Sequence, residues 1–327
     1  MSERRTALAL GGLLLVVFLV SLFLGRYPRP YWMPVSLLRH DPLARGLVFN
    51  LRLPRILTGC LLGAALAAAG AVFQMIFRNP LVEPGFLGVS QGAAFGAAFG
   101  ILFLDGGPLT IELVATLFAG MGLVFSHLLA RRIRYGGWTL RLVLSGIAVA
   151  ALFSASLGLL KYLADPLTEL PEIVFWTLGA LWGITWQDLL YIAPMVIPAL
   201  IVIYLMRWRL NLLSLPDEIA FSLGTAPGRE RTLLLGAAVA GVAAVVSVGG
   251  VVGWIGLIVP HVARRLVGAD AQAAIPVSIL CGAIFALSCD NLARVLIAGE
   301  VPLGMLTAVF GAGLFLLLVP RKAPARG

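Results

Sequence analysis

The fold is decided by residues 232–263, TLLLGAAVAGVAAVVSVGGVVGWIGLIVPHVA. These 32 residues contain no Asp, Glu, Lys or Arg. A single helix of this length would extend about 48 Å, whereas the hydrocarbon core of a bilayer is about 30 Å thick. Gly249 and Gly250 lie near the middle of the run, and Gly253 and Pro260 follow them. Because such residues allow a helix to end, the run predicts two membrane spans that meet near Gly249.

The rest of the chain has the same apolar character. Of its 327 residues, 60% are hydrophobic and 12% are charged, against about 25% charged in soluble domains. Eight further runs have spanning length: 6–25, 56–77, 85–104, 113–130, 142–160, 189–206, 271–289 and 301–319. We therefore expect one all-α polytopic membrane domain over residues 1–327, with ten transmembrane helices surrounded by lipid.

The basic residues test this count, because Lys and Arg favour the cytoplasmic side of a membrane. Ten spans place both termini inside, together with 16 of the 24 basic residues: Arg4, Arg5, Arg78, Arg131, Arg132, Arg134, Arg141, Arg207, Arg209, Arg229, Arg231, Arg264, Arg265, Arg321, Lys322 and Arg326. The net charge of +9 is thus attributed to membrane orientation, and we expect no nucleic-acid partner.

A shorter run at residues 173–187 carries Trp176, Trp182 and Trp186. A full span at this place would reverse the sides of all later segments. Since Trp favours the membrane interface, we predict an outer-face helix or a re-entrant piece.

The sequence offers no catalytic constellation and no metal-ligand spacing, so we expect neither an enzyme nor a bound cofactor. His40, His127 and His261 lie far apart and lack Cys or carboxylate partners at ligand spacing. A phosphate-binding loop needs a lysine directly after glycine, and neither Lys161 nor Lys322 follows a glycine. If ATP powers this protein, another polypeptide must bind the nucleotide.

Ion-coupled secondary transporters are the alternative from a different class, and they usually carry ionisable residues at mid-membrane. The predicted spans are almost bare of charge. Asp290 and Arg294 are an exception near the outer end of one span, where we interpret them as an i, i+4 surface pair.

Two connecting segments differ from plain linkers. Arg52 and Arg55 lie outside in this topology, where they could anchor lipid headgroups or receive an acidic partner protein. The second segment, at about residues 212–226, predicts a short cytoplasmic amphipathic helix that is either a docking element or a connector. Its start and end are indicated by Pro216 with Asp217 and Glu218, and by Gly224; Ile219, Ala220 and Leu223 give it one apolar face.

Several ordered motifs carry a resemblance to a known family. They are RLPR at 52–55 with the Gly- and Ala-rich stretch 63–70 and Gln74, NPLVEPGFLG at 79–88 with SQG at 90–92, GWIGLIVPH at 253–261 with Arg264, Asp290 with Ala293 and Arg294, and EVPLG at 300–304. With these motifs the chain resembles the membrane subunits of ABC importers for iron–siderophore complexes, haem and vitamin B12.

The resemblance implies a permease subunit of an ATP-driven importer in the inner membrane. It further implies a homodimer, two copies of a cytoplasmic ATP-binding subunit that holds ATP and Mg, and a periplasmic or lipid-anchored substrate-binding protein. The substrate path would follow the dimer axis, lined largely by the fifth and tenth helices. The expected cargo is an iron chelate, either a ferric siderophore or haem, with vitamin B12 or another metal or oxyanion complex as the alternative.

The resemblance also implies roles for particular residues. Docking of the binding protein falls to Arg52, Arg55 and Arg294. Coupling to the ATPase falls to Leu215, Pro216, Asp217, Glu218, Ala220, Leu223 and Gly224. The cytoplasmic gate falls to Asn79, Leu81, Thr139 and Leu140.

Overall fold

The computed structural model describes residues 3–28, 31–104, 107–297 and 299–318. These residues form fifteen α-helices: α1 Glu3–Phe23, α2 Leu37–His40, α3 Pro42–Gly46, α4 Leu53–Ile76, α5 Val89–Phe103, α6 Pro108–Arg132, α7 Trp138–Leu163, α8 Glu169–Leu178, α9 Trp186–Leu205, α10 Arg207–Leu213, α11 Asp217–Ser222, α12 Pro227–Gly249, α13 Ile255–Val267, α14 Ala271–Val295 and α15 Leu303–Leu318. A π-helical turn, Leu47–Arg52, leads into α4, and a 3-10 turn, Pro84–Leu87, leads into α5. Two-residue strands, β1 Leu24–Gly25 and β2 Tyr31–Trp32, pair antiparallel after α1.

The helices fit a multi-pass membrane protein. Within the described residues, seven helical stretches are long and apolar enough to cross a bilayer. Three more helices, α5, α13 and α15, occupy predicted spans but contain only 15, 13 and 16 residues. The count of ten crossings, and the side on which each terminus lies, therefore stay predictions. Arg321, Lys322, Arg326 and the end of the run 301–319 lie outside the described residues.

The run 232–263 breaks where predicted. Helix α12 ends at Gly249, and α13 begins at Ile255. Gly250 adopts φ +67°, and a Cβ at this position would lie 2.3 Å from the carbonyl oxygen of Trp176. Only glycine fits such a close approach, so the break is built into the sequence.

Helix α4 is the centre of the bundle and packs against α9, α12, α13 and α14. It approaches α14 closely, since a Cβ on Gly63 would lie 2.1 Å from the carbonyl oxygen of Gly282. Small residues bring membrane helices into this close contact without a hydrophobic driving force. The position of α4 matters for function because its 24 residues, about 36 Å, join the two functional ends of the molecule.

The run 173–187 forms a short helix and a turn rather than one element. Helix α8 has ten residues and ends at Leu178, which is too short to span a bilayer. Trp182 lies in the following turn, and Trp186 is the first residue of α9. Two names are used below for the ends of the bundle. The end where α4 begins at Leu53 is the arginine end, and the end where α4 finishes at Ile76 is the α11 end.

Candidate functional site

Arg55 occupies the first turn of α4 and is 9% exposed. Its Nε and Nη2 donate to Oδ1 of Asp290 at 2.9 and 2.7 Å, and its Nη1 donates to Oε1 of Glu300 at 2.9 Å. Burying a guanidinium is costly, and paired carboxylates offset this cost. Arg55 thus ties α4 to α14 and to the segment before α15.

Arg294 completes this buried network. Its Nε lies 3.2 Å from Oδ2 of Asp290, and its guanidinium also donates to the carbonyl oxygen of Ser21 and to the amide oxygen of Asn291. The interpretation of Asp290 and Arg294 as a surface pair is wrong, because Asp290 is fully buried and Arg294 is 8% exposed. The reason is that α14 packs on both α1 and α4, which leaves this part of the helix facing protein.

Arg52 ends the π-helical turn and is also 9% exposed. Its Nη1 donates to the carbonyl oxygen of Leu22 at 2.8 Å. The three predicted docking arginines therefore lie together, but each is held by groups of its own chain. They share a cavity of about 440 Å³, the basic cavity, whose charged wall residues are Arg26, Arg52, Arg55, Arg294 and Glu300.

Sequence reasoning missed Arg26 and understated Glu300. Arg26 donates to the carbonyl oxygen of Val295 at 2.9 Å and adds a fourth arginine to the basic cavity. The available signal was its place directly after the first apolar run, on the same predicted side as Arg52. Glu300 was noted only within the EVPLG motif.

A polar loop adjoins the basic cavity. The hydroxyl of Tyr27 donates to Oδ2 of Asp41 at 2.6 Å. This hydrogen bond raises the pKa of Tyr27 above its usual range and lowers the pKa of Asp41 below its usual range. Asp41 also caps α3 by accepting from the backbone N–H of Leu43.

At the α11 end, the segment 212–226 forms the predicted short helix with small shifts. Pro216 precedes the helix rather than lying in its first turn, and Gly224 ends it with φ +82°. The predicted apolar face divides: Ala220 is fully buried against the bundle, whereas Ile219 and Leu223 are exposed. Because Phe221 is also 72% exposed, α11 presents large apolar side chains outward.

Two arginines hold this exposed helix to the bundle. Arg231, on α12 and 5% exposed, pairs with Asp217 at 2.7 Å and donates to the carbonyl oxygen of Leu213 at 2.9 Å. Arg78, just after α4, donates to the carbonyl oxygen of Leu215. Both had been counted only as charges that orient the protein. The predicted docking helix is thus fixed at its beginning and not merely tethered.

The predicted gate residues lie beside these anchors. The side-chain oxygen of Asn79 accepts from the backbone N–H of Leu81 at 2.9 Å, in the loop that follows Arg78. Thr139 and Leu140 lie in the first turn of α7, directly after Trp138.

Trp138 connects the two gate segments. Its ring stacks on Phe77 with centroids 6.3 Å apart, and the guanidinium carbon of Arg231 lies 6.0 Å from its ring centroid. Arg231 thus links Asp217 of α11 to Trp138 of α7, and Arg78 links the residues just before α11 to the loop of Asn79 and Leu81. Such contiguous packing can transmit a displacement between sites.

Another cavity, of about 340 Å³, lies between α4, α7, α12 and the loop before α5. Its polar wall residues are Glu83, Ser90 and Gln91. Burial raises the pKa of Glu83, opposed by a hydrogen bond from the backbone N–H of Trp254. This cavity adjoins the gate loop and the exposed side of α7.

A family model described as the FecCD transport family matches residues 13–321. The chain belongs to this family. The resemblance inferred from the RLPR, NPLVEPGFLG and EVPLG motifs is thereby confirmed, and the chain is an ABC-type transport permease.

Two relatives show the range of this family. The molybdate import system permease protein MolB of Haemophilus influenzae is 39% identical, over 94% of this chain and 93% of the relative. The hemin transport system permease protein HmuU of Yersinia pestis is 39% identical, over 85% of this chain and 84% of the relative. FecCD permeases of equal similarity are thus named for different cargoes.

A solved FecCD-like structure supports the fold. It is assigned to the metal-chelate type of ABC transporter in an inward-facing conformation. The match has a TM-score of 0.89 and 38% identity, covering 97% of this chain and 99% of that chain. The arrangement of helices described above is therefore that of an ABC permease.

Proposed function

We propose that this chain is the membrane-spanning permease subunit of an ATP-driven importer that moves an iron chelate, a ferric siderophore or haem, across the inner membrane. The observation that carries the proposal is that the two ends differ. The arginine end has a cavity walled by four arginines, and the α11 end has an anchored helix with exposed apolar side chains. In the predicted ten-span topology, the arginine end faces outside and the α11 end faces the cytoplasm.

The basic cavity suits an acidic partner. Arginine binds carboxylates bidentately, and the four guanidinium groups of this cavity outnumber two nearby carboxylates: Glu300 in the cavity wall, and Asp290, which pairs with Arg55 and Arg294. Arg52 has only a carbonyl oxygen as its hydrogen-bond partner among the described residues, so it has charge left to offer. We assign Arg52, Arg55 and Arg294 to docking of a periplasmic or lipid-anchored substrate-binding protein. Arg52 would bind the acidic partner directly, and Arg55 and Arg294 would form the wall of the cavity around it.

Helix α11 suits a soluble partner on the cytoplasmic side. Ile219, Phe221 and Leu223 are 49%, 72% and 54% exposed, and Asp217 and Glu218 lie at the helix start. Apolar anchors of this kind, rimmed by charge, form the centres of protein interfaces. We assign α11 to coupling with a separate ATP-binding subunit that holds ATP and Mg, present in two copies.

A second copy of this chain would cover the exposed side of α7. Leu152, Leu159, Tyr162 and Leu163 on this helix are 62%, 59%, 85% and 60% exposed. The proposed path follows the axis between two copies, past α7 and α15, to the gate at Asn79, Leu81, Thr139 and Leu140. A wide apolar path suits a bulky chelate, because weak binding permits release.

The test is uptake into proteoliposomes that contain this chain, its ATPase and its binding protein. Labelled ferric siderophore, haemin, cobalamin and molybdate are offered separately. We expect ATP-dependent uptake of an iron chelate. ATP-dependent uptake of molybdate alone, as the name of the MolB relative suggests, would replace the iron chelate with an oxyanion and leave the transport mechanism in place.

A further inference from the structure

A second cavity at the arginine end has the opposite charge, and the proposed function gives it no role. It measures about 420 Å³, and its carboxylate and aromatic wall residues are Glu112, Glu172, Asp188, Phe175, Trp176 and Trp182. Among the described residues that line it, none is Lys, Arg or His. We call it the acid–aromatic cavity.

Glu112 is the buried member of this cavity. It lies in the second turn of α6 and is only 8% exposed. Glu112 and Asp188 both line this cavity, so the two carboxylates share one enclosed space. None of the ion pairs among the described residues includes Glu112. Two neighbouring carboxylates repel each other unless a proton or a cation lies between them.

Asp188 is fixed in position by the start of α9. The backbone N–H and the hydroxyl of Thr185 donate to Oδ2 of Asp188 at 2.6 and 3.0 Å, which forms a capping box. The Asp188 carboxylate cannot swing away from Glu112 without losing these hydrogen bonds. The Asp188 carboxylate is therefore a fixed feature of the cavity wall.

The aromatic walls indicate which cation fits. Phe175 and Trp182 meet edge to face with ring centroids 5.6 Å apart, and they are 50% and 42% exposed. Aromatic faces attract guanidinium and ammonium groups, most strongly where the site is partly desolvated. In the part of the chain that the structure describes, no group of three or more His, Cys, Asp or Glu is arranged to hold a metal ion. The chemistry favours an organic cation.

We infer that the acid–aromatic cavity binds a guanidinium or alkylammonium group, and that its occupant is an Arg or Lys side chain of the binding protein docked on the arginine end. The second half of this inference rests on the proposed function. Trp182, Gly183 and Ile184 line both this cavity and the basic cavity, so the two lie side by side. Two neighbouring cavities of opposite charge bind a partner that carries an acidic and a basic side chain in only one orientation.

The cavity is tested first without any partner. Ethylguanidinium is titrated into the purified full-length permease in detergent, at ionic strength held constant with sodium chloride, while tryptophan fluorescence is recorded. We expect saturable binding with a Kd on the order of 1 mM. The Glu112→Gln/Asp188→Asn double variant should weaken it at least about tenfold, and Glu172→Gln at the rim should weaken it less.

Glu3→Gln, which removes an exposed carboxylate at the start of α1, is the matched control and should leave the titration unchanged. An unaltered thermal midpoint shows that each variant is folded. A linear response to ethylguanidinium, or equal affinity in the folded double variant, would overturn the cation site.

The occupant is tested with candidate substrate-binding proteins of the same organism and the permease in nanodiscs. We expect Arg52→Ala and the Glu112→Gln/Asp188→Asn variant each to raise the docking Kd about tenfold. If only Arg52→Ala does so, docking stands but its basic side chain is not the occupant. If no candidate binds the unaltered permease, the docking function and the occupant both fail, whereas the ethylguanidinium result is unaffected.

Discussion

The arginine end and the α11 end both rely on arginine, but they use it differently. At the arginine end, Arg55 and Arg294 are buried and neutralised by Asp290, so their charges hold three helices together. At the α11 end, the buried Arg231 reaches out to Asp217, whose side chain is 64% exposed, and fixes a helix that itself lies in solvent. In the proposed function, the first end is a rigid docking site, whereas the second passes on the motion of the ATPase through a helix that is fixed at its beginning. Substitutions in the buried network of the arginine end should therefore lower stability, whereas substitutions at the α11 end should lower transport.

Asp290→Asn should produce the largest effect. It leaves Arg55 and Arg294 buried with Glu300 as the remaining carboxylate of the network, and breaking a buried pair costs about 3–5 kcal/mol. Thermal unfolding in detergent should show a large drop in the midpoint, and expression should fall. Glu218→Gln on the exposed side of α11 serves as control and should change stability by less than about 0.5 kcal/mol. An unchanged midpoint for Asp290→Asn would show that the arginine end is not a rigid docking site.

Arg231→Ala should reduce substrate uptake more than it reduces ATP hydrolysis by the bound ATPase. It removes the ion pair to Asp217 and the hydrogen bond to the carbonyl oxygen of Leu213. We expect ATP hydrolysis by the assembled transporter to persist while uptake per ATP falls at least about tenfold, corresponding to about 1.4 kcal/mol of lost coupling. Arg229→Ala, two residues away and exposed, is the matched control. Equal loss of hydrolysis and uptake would mean that Arg231 serves assembly rather than coupling.

Arg52→Ala should leave the fold intact and weaken docking of the binding protein. Arg52 is not part of the Asp290 network, and its recorded hydrogen bond is to the carbonyl oxygen of Leu22. We expect the docking Kd to rise about tenfold, with a smaller dependence on salt than in the unaltered protein. Arg39→Ala, at an exposed arginine before α3, controls for general charge. If both variants weaken docking equally, the basic cavity has no special role.

Glu300→Gln should produce the smallest effect and refine the comparison. Glu300 is the second carboxylate partner of Arg55, but its side chain is 34% exposed, so solvent replaces much of what the pair contributes. We expect a loss of about 1 kcal/mol or less in thermal unfolding experiments. A loss as large as that of Asp290→Asn would place Glu300 in the buried network.

The sequence predicted the helical class, the break at Gly249 and, within a residue or so, the short helix α11, because these depend on local signals. Apolar runs, paired glycines and capping residues act within a few positions of themselves. It could not predict the burial of Asp290, because that depends on α14 packing against α1 and α4, which are distant in the chain. For the same reason Arg231 was counted as an orienting charge, although it anchors α11.

The end that holds the three arginines predicted to dock the binding protein shows both what the sequence predicted and what it missed. The family motif predicted that Arg52, Arg55 and Arg294 belong together, and the structure places them around one cavity. It gave no hint that an acidic cavity lies next to them, because Glu112, Glu172 and Asp188 come from three separate helices. Clusters that form only through tertiary packing have no spacing signature in the sequence.

In the proposed function, ATP hydrolysis on a partner at the α11 end drives uptake from the arginine end. The most direct measurement is uptake of an iron-59-labelled chelate into proteoliposomes that contain the permease, its ATPase and its binding protein. With ATP at the ATPase side and no ion gradient, we expect uptake that disappears when the ATPase is left out. Uptake that persists without the ATPase and follows a proton or sodium gradient would contradict the account.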